Sequence, residues 1–196
     1  MAQVKVLIAG YAREEAGVES ASSTTTLIRY NGLNIIVDPG MNRLLLLKSL
    51  AAEDLQLQDI NYVILTHTHI DHCYLAGIFD QAKVLDNEAI FSDDGQIVPH
   101  NGKVPGTNIE IINTPGHDQF HCSVLADTAE LGKVAIAGDL FWWEDGEIQE
   151  TAVEALINHP DPYMKNEVQL AESRLKILGL ANYIIPGHGS IFKVVK

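Results

Sequence analysis

Cysteine is scarce: Cys73 and Cys122 are the two thiols in 196 residues. Two cysteines make neither a disulfide framework nor a cysteine-rich structural zinc site. Both read as ordinary packed thiols. Positive charge is scarce as well. Lys and Arg number 13 against 26 Asp and Glu, for a net charge of -13, and no basic run occurs. Phosphate-binding surfaces rely on clustered Lys and Arg, so a dedicated nucleic-acid or anionic-membrane surface is disfavoured. Long apolar runs are missing too; none approaches the roughly 18 residues that suggest a membrane span. The start, "MAQVKVLIAG", is apolar only briefly and carries Lys5, so it reads as a first strand rather than an export signal. The expected compartment is therefore cytoplasmic and reducing. There is no repeat, low-complexity linker or abrupt change of composition. With 46% apolar and 20% charged residues, one globular domain over 1–196 is the simplest organisation.

What is present is a series of Val-, Ile- and Thr-rich runs bounded by Gly, Asn, Asp or Pro. They predict strands over 4–10, 24–30, 33–38, 61–66, 83–85, 108–114, 121–127, 133–139 and 182–187. Asn31-Gly32 between two of them predicts a tight hairpin. Helical patterns cover 42–55, 71–79 with Asp71 as its cap, and 165–180. In the last of these, Val168, Ala171, Leu175 and Leu178 form the expected buried face, and Gly179 sits near the C-terminal stop. Many strands with few helices predict a mixed α/β (α+β) fold, with sheets packed face to face and helices outside.

The chemistry concentrates in "THTHIDHC", residues 66–73, at the end of an apolar strand. If the backbone stays extended there, His67 and His69 share a side, because strand side chains alternate. Asp71 and His72 are adjacent at a helix start and diverge, which suits them to a second ion nearby. Packing three imidazoles and a carboxylate together without a metal would concentrate costly desolvation. Three further polar residues follow apolar strands and a glycine: His117 in "TPGH", Asp139 in "AGD" and His188 in "PGHG". Strand ends on a rigid scaffold are where functional side chains gather.

This ordered set resembles the metallo-β-lactamase superfamily of metallohydrolases. Asp38 in "IIVDPG" matches the superfamily's strand-ending aspartate, a structural support near the site. "STTTLIR", "GKVAIAGD" and "PGHGSIFKV" look closest to the small single-domain subgroup named after metallo-β-lactamase domain-containing protein one. The resemblance implies a four-layer αββα sandwich and two divalent metal ions. His67, His69 and His117 would hold the first ion; Asp71, His72 and His188 the second. Asp139 would bridge them. A His/Asp donor set suits Zn2+ and accommodates iron or manganese. The implied activity is hydrolysis of a small ester, thioester or lactone by a metal-bridging hydroxide, with Asp71 also orienting the nucleophile and relaying its proton. Other chemistries of the superfamily are a phosphodiesterase or ribonuclease, a mononuclear iron persulfide dioxygenase, and weak β-lactamase turnover.

The remaining candidates concern the cleft. One of Trp142 and Trp143 is expected in the core and the other as a wall for a small-molecule substrate. His100 is a further cleft candidate, His121 a supporting or surface residue, and His159 a loop residue. The polar segment 11–23 reads either as a surface loop or as a flank of the active site. A homodimer is an open option.

Overall fold

A computed structural model describes residues 1–195. Alternation along the apolar strands builds its layers. The strands β1 (Gln3–Ile8), β4 (Thr25–Tyr30), β5 (Leu33–Val37), β6 (Tyr62–Ile64), β7 (Lys83–Leu85), β8 (Ala89–Phe91) and β9 (Ile97–Pro99) pair in that order into one sheet. A second sheet follows the order β10 (Glu110–Asn113), β11 (Cys122–Thr128), β12 (Gly132–Ile136), β13 (Tyr183–Ile185) and β14 (Phe192–Lys193). Neighbouring residues along a strand point to opposite faces. Ile28, Ile35, Val37 and Ile64 therefore face inward and pack with Val124, Ile136 and Ile185 of the second sheet. Leu27, Ile36 and Val63 face outward onto Leu46, Leu50 and Phe79. On the far side, Ala135 and Ile184 pack under Leu170, Ile177 and Leu178.

The outer layers are helical. Helix α1 (Arg43–Ala51) lies on the first sheet, its Asn42 cap accepting from the Leu45 amide at 3.2 Å. Helices α3 (Val153–Asn158) and α4 (Glu167–Leu180) lie on the second, α4 capped by Asn166. The result is the expected αββα order. Asn31 and Gly32 adopt positive φ of 49° and 85° in the β4–β5 hairpin, as the Asn-Gly signal predicts. Among the described residues no helix is long and apolar enough to cross a membrane.

Three local expectations are corrected. Residues 11–23 are largely an antiparallel ribbon, β2 (Tyr11–Glu15) with β3 (Val18–Ser22). Its mostly polar side chains carry no period-two signal. The helix expected over 71–79 is short, α2 (Ile70–Cys73), followed by a separate 3-10 turn over 76–78; its cap position is His69, with Asp71 in the first turn. Helix α4 buries a face rotated from the one predicted: Leu178 is inside as expected, together with Leu170, Ser173, Arg174 and Ile177, while Val168 and Leu175 are exposed. The buried Arg174 hides that face from any hydrophobic pattern. Gly179 lies in the last turn of α4, near its C-terminal end as expected.

Candidate metal centre

Strand direction brings the polar residues together. Strands β5 and β6 are parallel, as are β12 and β13, and β10 shares the direction of β12 through the antiparallel β11 between them. The chain therefore leaves β5, β6, β10, β12 and β13 at the same end of the two sheets. Those exits carry Asp38, then His67 and His69, His117, Asp139 and His188. Helix α2 adds Asp71 and His72.

The side chains fall into two groups. His67, His69, His117 and Asp139 each offer a ligand atom within 4.8 Å of the others; Asp71, His72 and His188 do the same. Asp139 stands between them. Its Oδ2 is 3.8 Å from His67 Nε2 and 3.4 Å from His117 Nε2, while its Oδ1 is 3.0 Å from His72 Nε2 and 3.7 Å from His188 Nε2. Asp71 Oδ2 lies 3.1 Å from His188 Nε2.

The fit to metal ions can be tested on the imidazoles themselves. His72 Nδ1 donates to Asp38 Oδ2 at 2.8 Å, His117 Nδ1 to Asp161 Oδ2 at 2.7 Å, and His188 Nδ1 to the Tyr11 carbonyl at 3.0 Å. Thr66 Oγ1 donates to Asp38 Oδ2 at 2.7 Å, which leaves its oxygen to accept from His67 Nδ1 at 3.1 Å. In all four rings Nδ1 faces the supporting oxygen, so Nε2 is the nitrogen turned inward. His67 Nε2, His72 Nε2 and Asp139 Oδ1 are buried without a hydrogen-bond partner. His72 Nε2 and Asp139 Oδ1 are close but out of line for a hydrogen bond, the relation expected of two ligands of one cation. Buried polar atoms are rarely left unpaired, and a ligating histidine characteristically gives its other N–H to a carboxylate or carbonyl. The residues fit bound divalent cations.

The electrostatics agree. Burial drives His67 well below the usual imidazole range and also lowers His69, so both favour the neutral, ligating form. Burial opposes charge on Asp139, yet His72 and His188 beside it hold the carboxyl well below its ordinary range. Burial also opposes charge on His72, but Asp139 and Asp38 raise it well above the ordinary value. That concentration of negative charge suits a cation, which competes with the proton at His72. Asp38 adopts a left-handed φ of 50°, tolerated by aspartate, while accepting from Thr66 N, Thr66 Oγ1 and His72 Nδ1.

An open cleft of about 850 Å³ leads to this centre. The ribbon β2–β3 forms part of its wall, so segment 11–23 does flank the site. Trp142 lines the cleft with its ring 5.7 Å from Tyr163, whereas Trp143 packs inside against Phe192 and His159. His100 is a correction: it does not line the cleft. Its ring accepts from the Gly102 amide and bonds the Asp86 carbonyl, which closes the loop after β9. His121 is fully buried behind the centre, 5.1 Å ring to ring from His67, with its pKa pushed by burial down to about 3. Asp161 and the Tyr11 carbonyl were not anticipated. Asp161 sits between two prolines in "HPDPY", a context that signals only a turn.

The family model of the metallo-beta-lactamase superfamily matches residues 20–87. Metallo-beta-lactamase domain-containing protein 1 of Xenopus laevis is 33% identical over 98% of this chain and 82% of its own length. The chain belongs to the metallo-beta-lactamase superfamily. The mouse protein of the same name is 32% identical over 83% of this chain, which spans 62% of the mouse length. Among solved structures, a metallo-beta-lactamase-type protein from Thermotoga maritima superposes with a TM-score of 0.73 at 21% identity, covering 98% of this chain and 99% of its own. AidC, a dizinc quorum-quenching lactonase solved with an acyl-homoserine product, gives a TM-score of 0.64 at 17% identity over 91% of this chain and 77% of its own. These superfamily members share the fold, and the His/Asp cluster occupies the strand ends of that fold in this chain.

Proposed function

We propose that the protein is a dinuclear metal-dependent hydrolase of a small ester, thioester or lactone, with zinc as its metal. The observation that carries this is Asp139, whose two oxygens each face a separate histidine group across distances of 3.0 to 3.8 Å. His67, His69 and His117 would hold one ion, Asp71, His72 and His188 the other, with Asp139 shared. Bound there, two divalent ions would supply a water acidified towards neutrality and Lewis acidity toward a substrate oxygen.

The chain's own residues do the rest. Asp38, Thr66, Asp161 and the Tyr11 carbonyl hold four imidazoles by Nδ1 with Nε2 turned inward. Burial opposes the charge on Asp71, but the hydrogen bond to His188 and the nearby His72 keep its carboxyl below the ordinary range. Asp71 also lines the cleft, so Oδ2 is placed to take a proton from a water there. Met41, Ile70, Trp142 and Tyr163 give apolar walls for the body of a substrate. Arg13 and Arg43 stand on the same cleft among Glu14, Glu19 and Glu144, which gives its rim charges of both signs. A lactone substrate also accords with the fold's use by AidC, whose bound product is an acyl-homoserine.

Elemental analysis of protein purified without added metal tests the reading, together with a panel of thioester, lactone, ester, phosphodiester and β-lactam substrates. Two zinc ions per chain and turnover on the carbonyl substrates are expected, with turnover abolished by Asp139→Ala. One iron per chain with oxygen uptake on a persulfide would overturn it, as would turnover confined to phosphodiesters.

A further inference from the structure

The segment between α3 and α4 carries a carboxylate that neither motif nor spacing singled out. The Asp161 side chain is completely shielded from solvent. Its two oxygens point to two different parts of the site. Oδ2 accepts from His117 Nδ1 at 2.7 Å, and Oδ1 accepts from the Tyr163 amide at 3.0 Å. Tyr163 packs on Trp142 and lines the cleft. The same segment is pinned to the turn that presents His117: Lys165 N donates to the Gly116 carbonyl at 2.8 Å, and Asn166 N to the same carbonyl at 2.9 Å.

A buried carboxylate is costly unless it is paired and hydrogen-bonded. Here the pairing comes from the His117 ring and the Tyr163 amide, and the nearby Arg174 guanidinium adds attraction. Arg174 is itself buried. Its Nε donates to the Leu140 carbonyl at 2.7 Å, next to Asp139, and its Nη1 donates to the Ile157 and His159 carbonyls at 3.1 and 2.7 Å. One side chain of α4 therefore fastens both the turn that bears Asp139 and the approach to Asp161.

We propose that Asp161 is a positioning residue that sets the metal affinity of the His67–His69–His117 group and couples its loading to the Tyr163 wall of the cleft. This rests on the metal-centre reading above. The Oδ2 contact holds His117 with its proton on Nδ1, and a carboxylate partner makes the opposite nitrogen a stronger donor. The Oδ1 contact makes any tilt of the His117–Asp161 pair act on the backbone of Tyr163. Metal held at His117 thus steadies the wall against which a substrate packs.

The test uses the full chain stripped of metal and titrated with Co2+ against a chromophoric chelator. It compares the wild type with Asp161→Asn, which keeps the shape and the acceptor for Tyr163. Asp93→Asn, an exposed change, is the control. Asp161→Asn is expected to weaken one of the two binding steps about 10- to 100-fold and to spare the other. The thermal midpoint of the metal-free protein should stay close to wild type. Hydrogen exchange gives a second readout: Co2+ should slow exchange over residues 159–166 in the wild type and have much less effect in the variant. Equal affinities for both steps in the two proteins would overturn the role of Asp161 and leave the metal centre standing. A uniform loss at both steps with a lowered metal-free midpoint would also overturn it, since that is a merely structural prop. A wild type that binds no Co2+ would sink the metal centre and this inference together.

Discussion

Gly187 offers a sharp test of how closely the centre is built. Its φ is not in the left-handed region, so backbone strain is not the reason for glycine there. Space is the reason. A Cβ on Gly187 would overlap Asp139 Oδ1 and stand 3.0 Å from Asp139 Cγ and from the Gly138 carbonyl carbon. The loop cannot simply retreat. Gly187 N donates to the Gly138 and Phe141 carbonyls at 2.8 and 3.0 Å, and the Gly187 carbonyl accepts from Thr24 N at 2.7 Å. In Gly187→Ala the Asp139 carboxylate must therefore swing aside by about 1.5 Å to restore van der Waals distance. A misplacement of even about 1 Å costs on the order of 100-fold in rate, equivalent to about 2.7 kcal/mol of transition-state stabilisation. Overpacking adds roughly 1–3 kcal/mol of lost stability. The measurement is kcat/KM of the metal-loaded variant alongside its metal stoichiometry. Gly179→Ala is the matched comparison, since a Cβ at that helical position meets nothing within 4 Å. It should leave turnover intact and add about 0.5–1 kcal/mol of stability. Wild-type metal content and kcat/KM in Gly187→Ala would refute the placement of Asp139 between the two groups.

Two more outcomes follow from the same contacts. Arg174→Met removes the donor to three backbone carbonyls near the site and should cost about 3–5 kcal/mol, read as a lowered midpoint in chemical denaturation. Chelation should lower the thermal midpoint, because an ion present at 100 times its dissociation constant stabilises by about 2.7 kcal/mol per site. At roughly 2–4 °C per kcal/mol for a chain of this size, that is about 5–11 °C per site; a midpoint indifferent to chelator and to added zinc would argue against metal binding.

Much of this centre was legible because its inward-facing residues follow apolar strands. The runs ending at Asp38, Thr66, Thr114, Asp139 and Gly187 announce themselves by composition, and the polar residues at or just beyond their ends are conspicuous. The ribbon 11–22 was not legible as strands, since Arg13, Glu14 and Glu15 against Val18, Glu19 and Ser20 give no alternation between a wet and a dry face. The buried face of α4 is hidden for the opposite reason. Arg174 counts as polar in any periodicity, yet it is inside because it meets carbonyls released by an irregular turn and a helix end.

The outer partners of the imidazoles are the deeper case. A ligand must be a histidine or a carboxylate, so its identity survives in the sequence. The group behind it need only be an oxygen that accepts from Nδ1. For His67 that oxygen is a threonine hydroxyl, for His72 and His117 aspartates from distant segments, and for His188 the backbone carbonyl of Tyr11. A carbonyl has no residue type to recognise, and His100 in its turn looks no different in sequence from a histidine in the cleft. What separates them is which acceptor stands behind the ring and whether the other nitrogen faces a loop amide or a second ligand. The same asymmetry explains why Asp161→Asn and Asp139→Ala should differ in kind. One leaves the full set of inward-facing ligands and weakens a single binding step; the other removes the carboxylate that both groups share.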